Sequence, residues 1–127
     1  MKYIKKYKIF ESFDPLKWKY GKLVIDECNL IIEDIKDMLL ELKDMGLYVT
    51  VGYTPMTLVN REETPKIMAS VSSVVDLYNQ HEEDINLAFE RIKEYVKEKG
   101  YSTDFGYWEW CSFTDKHMKE SQILIQR

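Results

Sequence analysis

The sequence predicts an α+β fold: duplicated αββ units forming a four-stranded antiparallel sheet with two helices on one face. Two observations lead there. Two amphipathic stretches each end in a glycine that runs straight into an alternating, strand-like segment, and the second junction follows the first at a fixed offset. "KDMGLYVTVGYT" from Lys43 and "KEKGYSTDFGYW" from Lys97 match at Lys, at the Tyr and at both glycines, Gly46 and Gly52 becoming Gly100 and Gly106 under a shift of 54. Carried backwards, the same shift lays Ile31, Ile35, Met38 and Leu42 on Ile85, Phe89, Ile92 and Val96. A unit of this size cannot bury its own apolar face, so two are expected to pair into one layer.

In order, residues 1–22 form a basic, aromatic N-terminal segment, 23–73 the first αββ unit and 74–127 the second, all in one domain. The first helix is "DECNLIIEDIKDMLLELKDMG", with Cys28, Ile31, Ile35, Met38, Leu39 and Leu42 at helical spacing, acids on the other side and Gly46 as the stop. "LYVTVGYT" alternates as a strand does, and "TLVN" is expected to continue it past Pro55. "REETP" reads as a turn and "KIMASVSS" as the returning strand. The second helix is "HEEDINLAFERIKEYVKEKG", with Asn79 and Glu82 spaced as a capping box. "YSTDFGYWEWCSFT", a polar turn "DKHMKE" and the strand "SQILIQR" complete the chain.

With 127 residues, 45% apolar and 31% charged, the chain has the make-up of one globular domain that buries roughly two-thirds of its unfolded surface. Cys28 and Cys111, the only cysteines, lie in no metal-like spacing. Free thiols in a reducing compartment are the plain expectation, with one long-range disulfide as the alternative. No apolar run approaches the roughly 20 residues of a membrane span and no signal peptide is evident, so no membrane association is expected. Net charge is −4, unevenly spread: residues 1–22 hold seven Lys against Glu11 and Asp14, and residues 26–44 hold seven acids against Lys36 and Lys43. An acidic total argues against a dedicated duplex-DNA binder.

The tryptophans pose the functional question. Leu47, Val49, Val51 and Tyr53 share the core-facing parity, and the shift of 54 puts Tyr101, Thr103, Phe105 and Tyr107 inward with them. Trp108, Trp110 and Tyr48 then fall on the face away from the helices. Burying one indole is worth up to about 5 kcal/mol, so bare exposure of two is unfavourable. Three covers compete: a bulge at Gly106 that turns the rings under the helices, the N-terminal segment with Tyr3, Ile4, Tyr7, Ile9, Phe10 and Phe13, or a partner. The N-terminal segment is the expected cover.

Chemistry is sparse. His81 sits at a helix start and His117 in a polar turn; with Cys111 they make too small a set for zinc or acid–base catalysis. No nucleophile elbow, phosphate-cradling glycine loop or zinc-protease helix occurs. No catalytic residue, metal or cofactor is expected. The candidate binding residues are Tyr48, Trp108 and Trp110 with Lys5, Lys6 and Lys8. They suit a protein partner, or, as the alternative, a single-stranded nucleic acid or nucleotide stacked on the rings beside cations. The acidic helix face at Glu33, Asp34, Asp37, Glu41 and Asp44 reads as solvated. A homodimer through an edge strand or the aromatic face is also open.

The opening "MKYIKKYKIFESF", with "LLELKDMGLYVTV" and "IKEYVKEKGYS", resembles a diffuse group of small, functionally unassigned tailed-phage proteins that share a Lys-aromatic start and this helix-to-strand junction. The resemblance implies a phage accessory or virion protein, in the host cytoplasm or the virion, that meets a virion component or a host defence protein. "IFES" also resembles the prohead-protease recognition pattern of large contractile-tail phages, which would place a cut after Glu11 of an internal head protein.

Overall fold

The computed structural model describes residues 14–59 and 62–127. Helix α1 (Pro15–Tyr20) opens it, with the Asp14 carboxylate accepting from Leu16 N at 2.9 Å and Pro15 in the first turn, where no backbone N–H is needed. Then follow α2 (Lys22–Met38), α3 (Leu40–Asp44), β1 (Tyr48–Tyr53), α4 (Pro55–Leu58), β2 (Ile67–Val74), α5 (Val75–Gln80), α6 (Glu82–Glu98), β3 (Ser102–Cys111) and β4 (His117–Gln126). The strands form one antiparallel sheet in the order β1-β2-β4-β3.

The duplicated αββ architecture is borne out by the register. Val49 pairs with Val71 and Val51 with Ala69; adding 54 to all four gives Thr103 with Ile125 and Phe105 with Ile123, which are also pairs. Between the units, Ala69 pairs with Ile123, its own counterpart, so a pseudo-two-fold axis passes between these two fully buried residues. The helix ends repeat as well. Gly46 and Gly100 take φ of 95° and 88°, a conformation open to glycine at little cost, and Leu47 N donates to Leu42 O at 3.2 Å as Tyr101 N does to Val96 O at 3.0 Å. Both junctions are the same Schellman turn.

The core lies between the sheet and the α2–α3 and α5–α6 layer. Cys28, Ile31, Ile35, Leu39 and Leu42 are buried from the first unit, and Ile85, Phe89, Ile92 and Val96 from the second, with Ile67, Ala69, Val71, Ile123 and Ile125 facing them from the inner strands. The two halves of the helix layer are also linked at their surface, where the Tyr95 hydroxyl donates to Asp34.

Several local expectations are corrected. The first helix begins at Lys22, and it is interrupted only at Leu39, through which the Leu39 N to Ile35 O bond still runs. Pro55 does not interrupt a strand that resumes: Pro55–Leu58 form a helical turn capped by the Thr54 hydroxyl. Asn79 and Glu82 do not form a capping box, because Asn79 lies inside α5 and its side-chain oxygen accepts from Lys119 Nζ at 2.8 Å. The turn of the second hairpin is residues 112–116, and His117 to Glu120 belong to β4. Cys28 is buried, Cys111 is exposed and both are free thiols, so they form no disulfide. Among the described residues no helix is long and apolar enough to cross a membrane.

Candidate functional site

The two units differ in three ways, and all three expose surface on the second. The first hairpin ends at the pair Tyr53–Ile67, whereas the second continues past the equivalent Tyr107–Ser121 through Trp108–Glu120, Glu109–Lys119 and Trp110–Met118 to Cys111–His117. This extension carries both tryptophans. The register through Gly106 is unbroken, so no bulge turns the indoles under the helices. Alternation puts Trp108 and Trp110 on the open face, 49% and 39% exposed, together with Tyr48 at 68%.

On that face Tyr48, Ser72, Glu120 and Trp108 form one row across all four strands, so Tyr48 stands about 14 Å from Trp108, at the opposite edge of the sheet. The next row is Thr50, Ser70, Gln122 and Gly106, a low floor in which the Thr50 and Ser70 hydroxyls bond at 2.5 Å. Trp108 leans over this floor. A Cβ added at Gly106 would fall 2.3 Å from its indole edge, so only glycine admits the ring there. Gln122 Nε2 donates to Glu120 Oε2 at 2.7 Å beside it. The structure thus brings Tyr48, Trp108 and Trp110 to one face but leaves Tyr48 at the opposite edge from the two tryptophans. Lys5, Lys6 and Lys8, the N-terminal cover and the Glu11 cut lie outside the described residues. The described strand positions of this face include Asp104 and Glu120 and no Lys or Arg.

The second difference lies on the helix side. Phe105 and Tyr107 point to the helices as expected, yet they are 50% and 52% exposed, lining a groove of about 610 Å³ between β3 and α6. Phe89 stacks on Phe105 with ring centroids 6.3 Å apart, and Tyr78 meets Tyr107 at 6.2 Å. At the base the Tyr78 and Ser121 hydroxyls are bonded to each other. Glu82, Asn86 and Glu90 line the helical wall. In the first unit the positions 54 residues earlier are Cys28, Ile32 and Lys36, and Ser121 corresponds to Ile67; Cys28, Ile32 and Ile67 are all buried. Apolar contacts that close the first unit are replaced by polar groups in the second. The sequence suggested Glu82 only as half of a capping box; the signal that marks it is this apolar-to-polar exchange within the repeat.

The third difference is cover at the helix start. In the first unit the Tyr53 hydroxyl donates to Asn29 Oδ1 at 2.7 Å, and α1 packs alongside, with Lys17 3.3 Å from Asp26 and Tyr20 donating to Glu62 O. Burial pushes the Tyr53 hydroxyl well above the ordinary tyrosine range. Its counterpart Tyr107 is also pushed up, but by donating to Glu109 at the exposed rim. That bond holds the Glu109 carboxyl below its usual range, helped by Lys119 at 3.7 Å. His117, 3.5 Å from Glu109, and Cys111, its cross-strand partner, sit together at the exposed hairpin end. His81 lies 3.4 Å from Asp84 at the start of α6. Among the described residues no three His, Cys, Asp or Glu side chains converge to hold a metal. Comparison of the chain with protein-family models, with curated proteins and with solved structures gives no match.

Proposed function

We propose that this is a non-enzymatic binding protein whose partner is another polypeptide, docked on the open sheet face of the second unit. One observation carries the reading: Trp108 and Trp110 stand half-exposed on a hairpin extension that the first unit lacks. The extension adds nothing to the core beneath the helices. Exposed indoles at the rim of a flat polar floor are typical anchors for a partner protein, since each offers a large apolar area with little conformational entropy to lose. The acids Asp104 and Glu120 and the absence of cations among the described positions of the face disfavour a nucleic-acid strand, which needs Lys or Arg along its phosphates. The resemblance to small phage proteins makes a virion protein or a host defence protein the natural partner.

The test is affinity capture with the tagged full chain from phage-infected cells, run beside a Trp108→Ser, Trp110→Ser double variant. A protein recovered by the native chain and lost by the variant supports the reading. An identical set of proteins from both would overturn it.

A further inference from the structure

The groove between α6 and β3 holds about 610 Å³, and its chemistry differs from that of the open face. Its walls are aromatic: Phe89 and Phe105 at one end, Tyr78 and Tyr107 at the other. Two carboxylates, Glu82 and Glu90, stand along it, and no Lys or Arg is among the lining residues. The rings already hold cations at the rim, with Lys93 Nζ 5.8 Å from the Phe105 centroid and Lys119 Nζ 5.7 Å from that of Tyr78. The strand forming one wall, β3, is an edge strand of ten residues without Pro or Lys, and among the described residues no strand pairs with its outward backbone groups, which suit a further strand.

Aromatic faces beside carboxylates select a flat cation. A guanidinium stacks on the rings, presents its N–H fork to a carboxylate and leaves its aliphatic stem on apolar wall. The polar replacements are also specific to this unit: Glu82 and Asn86 stand where Cys28 and Ile32 seal the first. We propose that this groove takes an arginine side chain of an extended partner segment that lies along the β3 edge. The proposal rests on the protein-binding reading above, but not on the indole face.

The test uses the isotope-labelled full chain and a capped five-residue peptide of alternating valine and arginine, followed by NMR titration, with a citrulline version as the neutral isostere. The expected result is movement of the amide signals of residues 82–90 and 105–107, with affinity reduced about tenfold in a Glu82→Gln, Glu90→Gln variant and also on the citrulline peptide. Asn86→Ile, which restores the first unit's filling, should abolish the same shifts. Equal binding of both peptides, or no binding of the arginine peptide, overturns the proposal. Shifts confined to the Trp108 and Trp110 indole signals overturn it too, while leaving the sheet-face reading intact.

Discussion

The first unit is a closed half and the second an open one, though both follow the same plan. In the first, Ile25, Cys28 and Ile32 are buried, Tyr53 is bonded to the helix, and α1 shields the helix start. In the second, Asn79, Glu82 and Asn86 occupy the equivalent positions, Tyr107 turns to Glu109, and no helix corresponds to α1. The common frame fixes which differences matter. Where the units agree, at the Schellman turns, the stripe and the register, the residues hold the fold; where they diverge, the second unit exchanges packing for surface.

The largest test of the shared frame is at paired core positions. Ile31→Ala and Ile85→Ala are equivalent, fully buried truncations, and each should cost about 3 kcal/mol in denaturant unfolding. A cost below about 1 kcal/mol at either site would break the equivalence of the halves.

Alkaline pH separates Tyr53 from its counterpart Tyr107. Burial raises the Cys28 thiol from 9.0 and the Tyr53 hydroxyl from 10.0, and it raises Tyr101 as well, while Tyr95 is pushed up to about 12 by burial and by its bond to Asp34. Each of these groups ionises more readily in the unfolded chain. Their stabilising contribution is therefore complete below about pH 8 and is lost as the pH climbs through 9 and 10 towards the folded values. Tyr53→Phe should flatten this alkaline loss, measured as melting temperature against pH; Tyr107→Phe, at an exposed and solvent-screened site, should leave it nearly unchanged. The reverse order would mean that Tyr107 is the buried one.

The smallest effect is the most local. Gly52 and Gly106 are equivalents, but only Gly106 lies beneath an indole. Gly106→Ala should displace Trp108, changing its fluorescence and costing about 1 kcal/mol, whereas Gly52→Ala, with open space at its Cβ, should stay within about 0.5 kcal/mol of the native chain. Equal effects would mean that Trp108 does not rest on the floor.

Much of the frame was legible because it depends on local periodicity. The helical stripe from Cys28 to Leu42, the glycine stops and the strand parity are each visible in a few consecutive residues, and parity alone put Trp108 on the face away from the helices. What failed to show depends on neighbours distant in sequence. His117 to Glu120 read as a polar turn because their charges suit one, yet pairing with Cys111 to Trp108 on one side and, for Met118 to Glu120, with β2 on the other makes them strand. Phe105 and Tyr107 were assigned the right face but not their exposure, since that is set by Asn86 and Glu82 on a helix some twenty residues earlier. The candidate lysines Lys5, Lys6 and Lys8 precede the described residues.

The axis between Ala69 and Ile123 has an implication for descent. A chain made of one αββ unit would leave its second strand unpaired, and two such chains would satisfy each other about this same axis. The protein is thus built as a homodimer joined end to end in one polypeptide. In a dimer of identical chains every substitution falls twice, so a cleft opened on one side opens on both and the core is weakened in duplicate. Fusion removes that constraint, letting one half keep the fold stable while the other diverges.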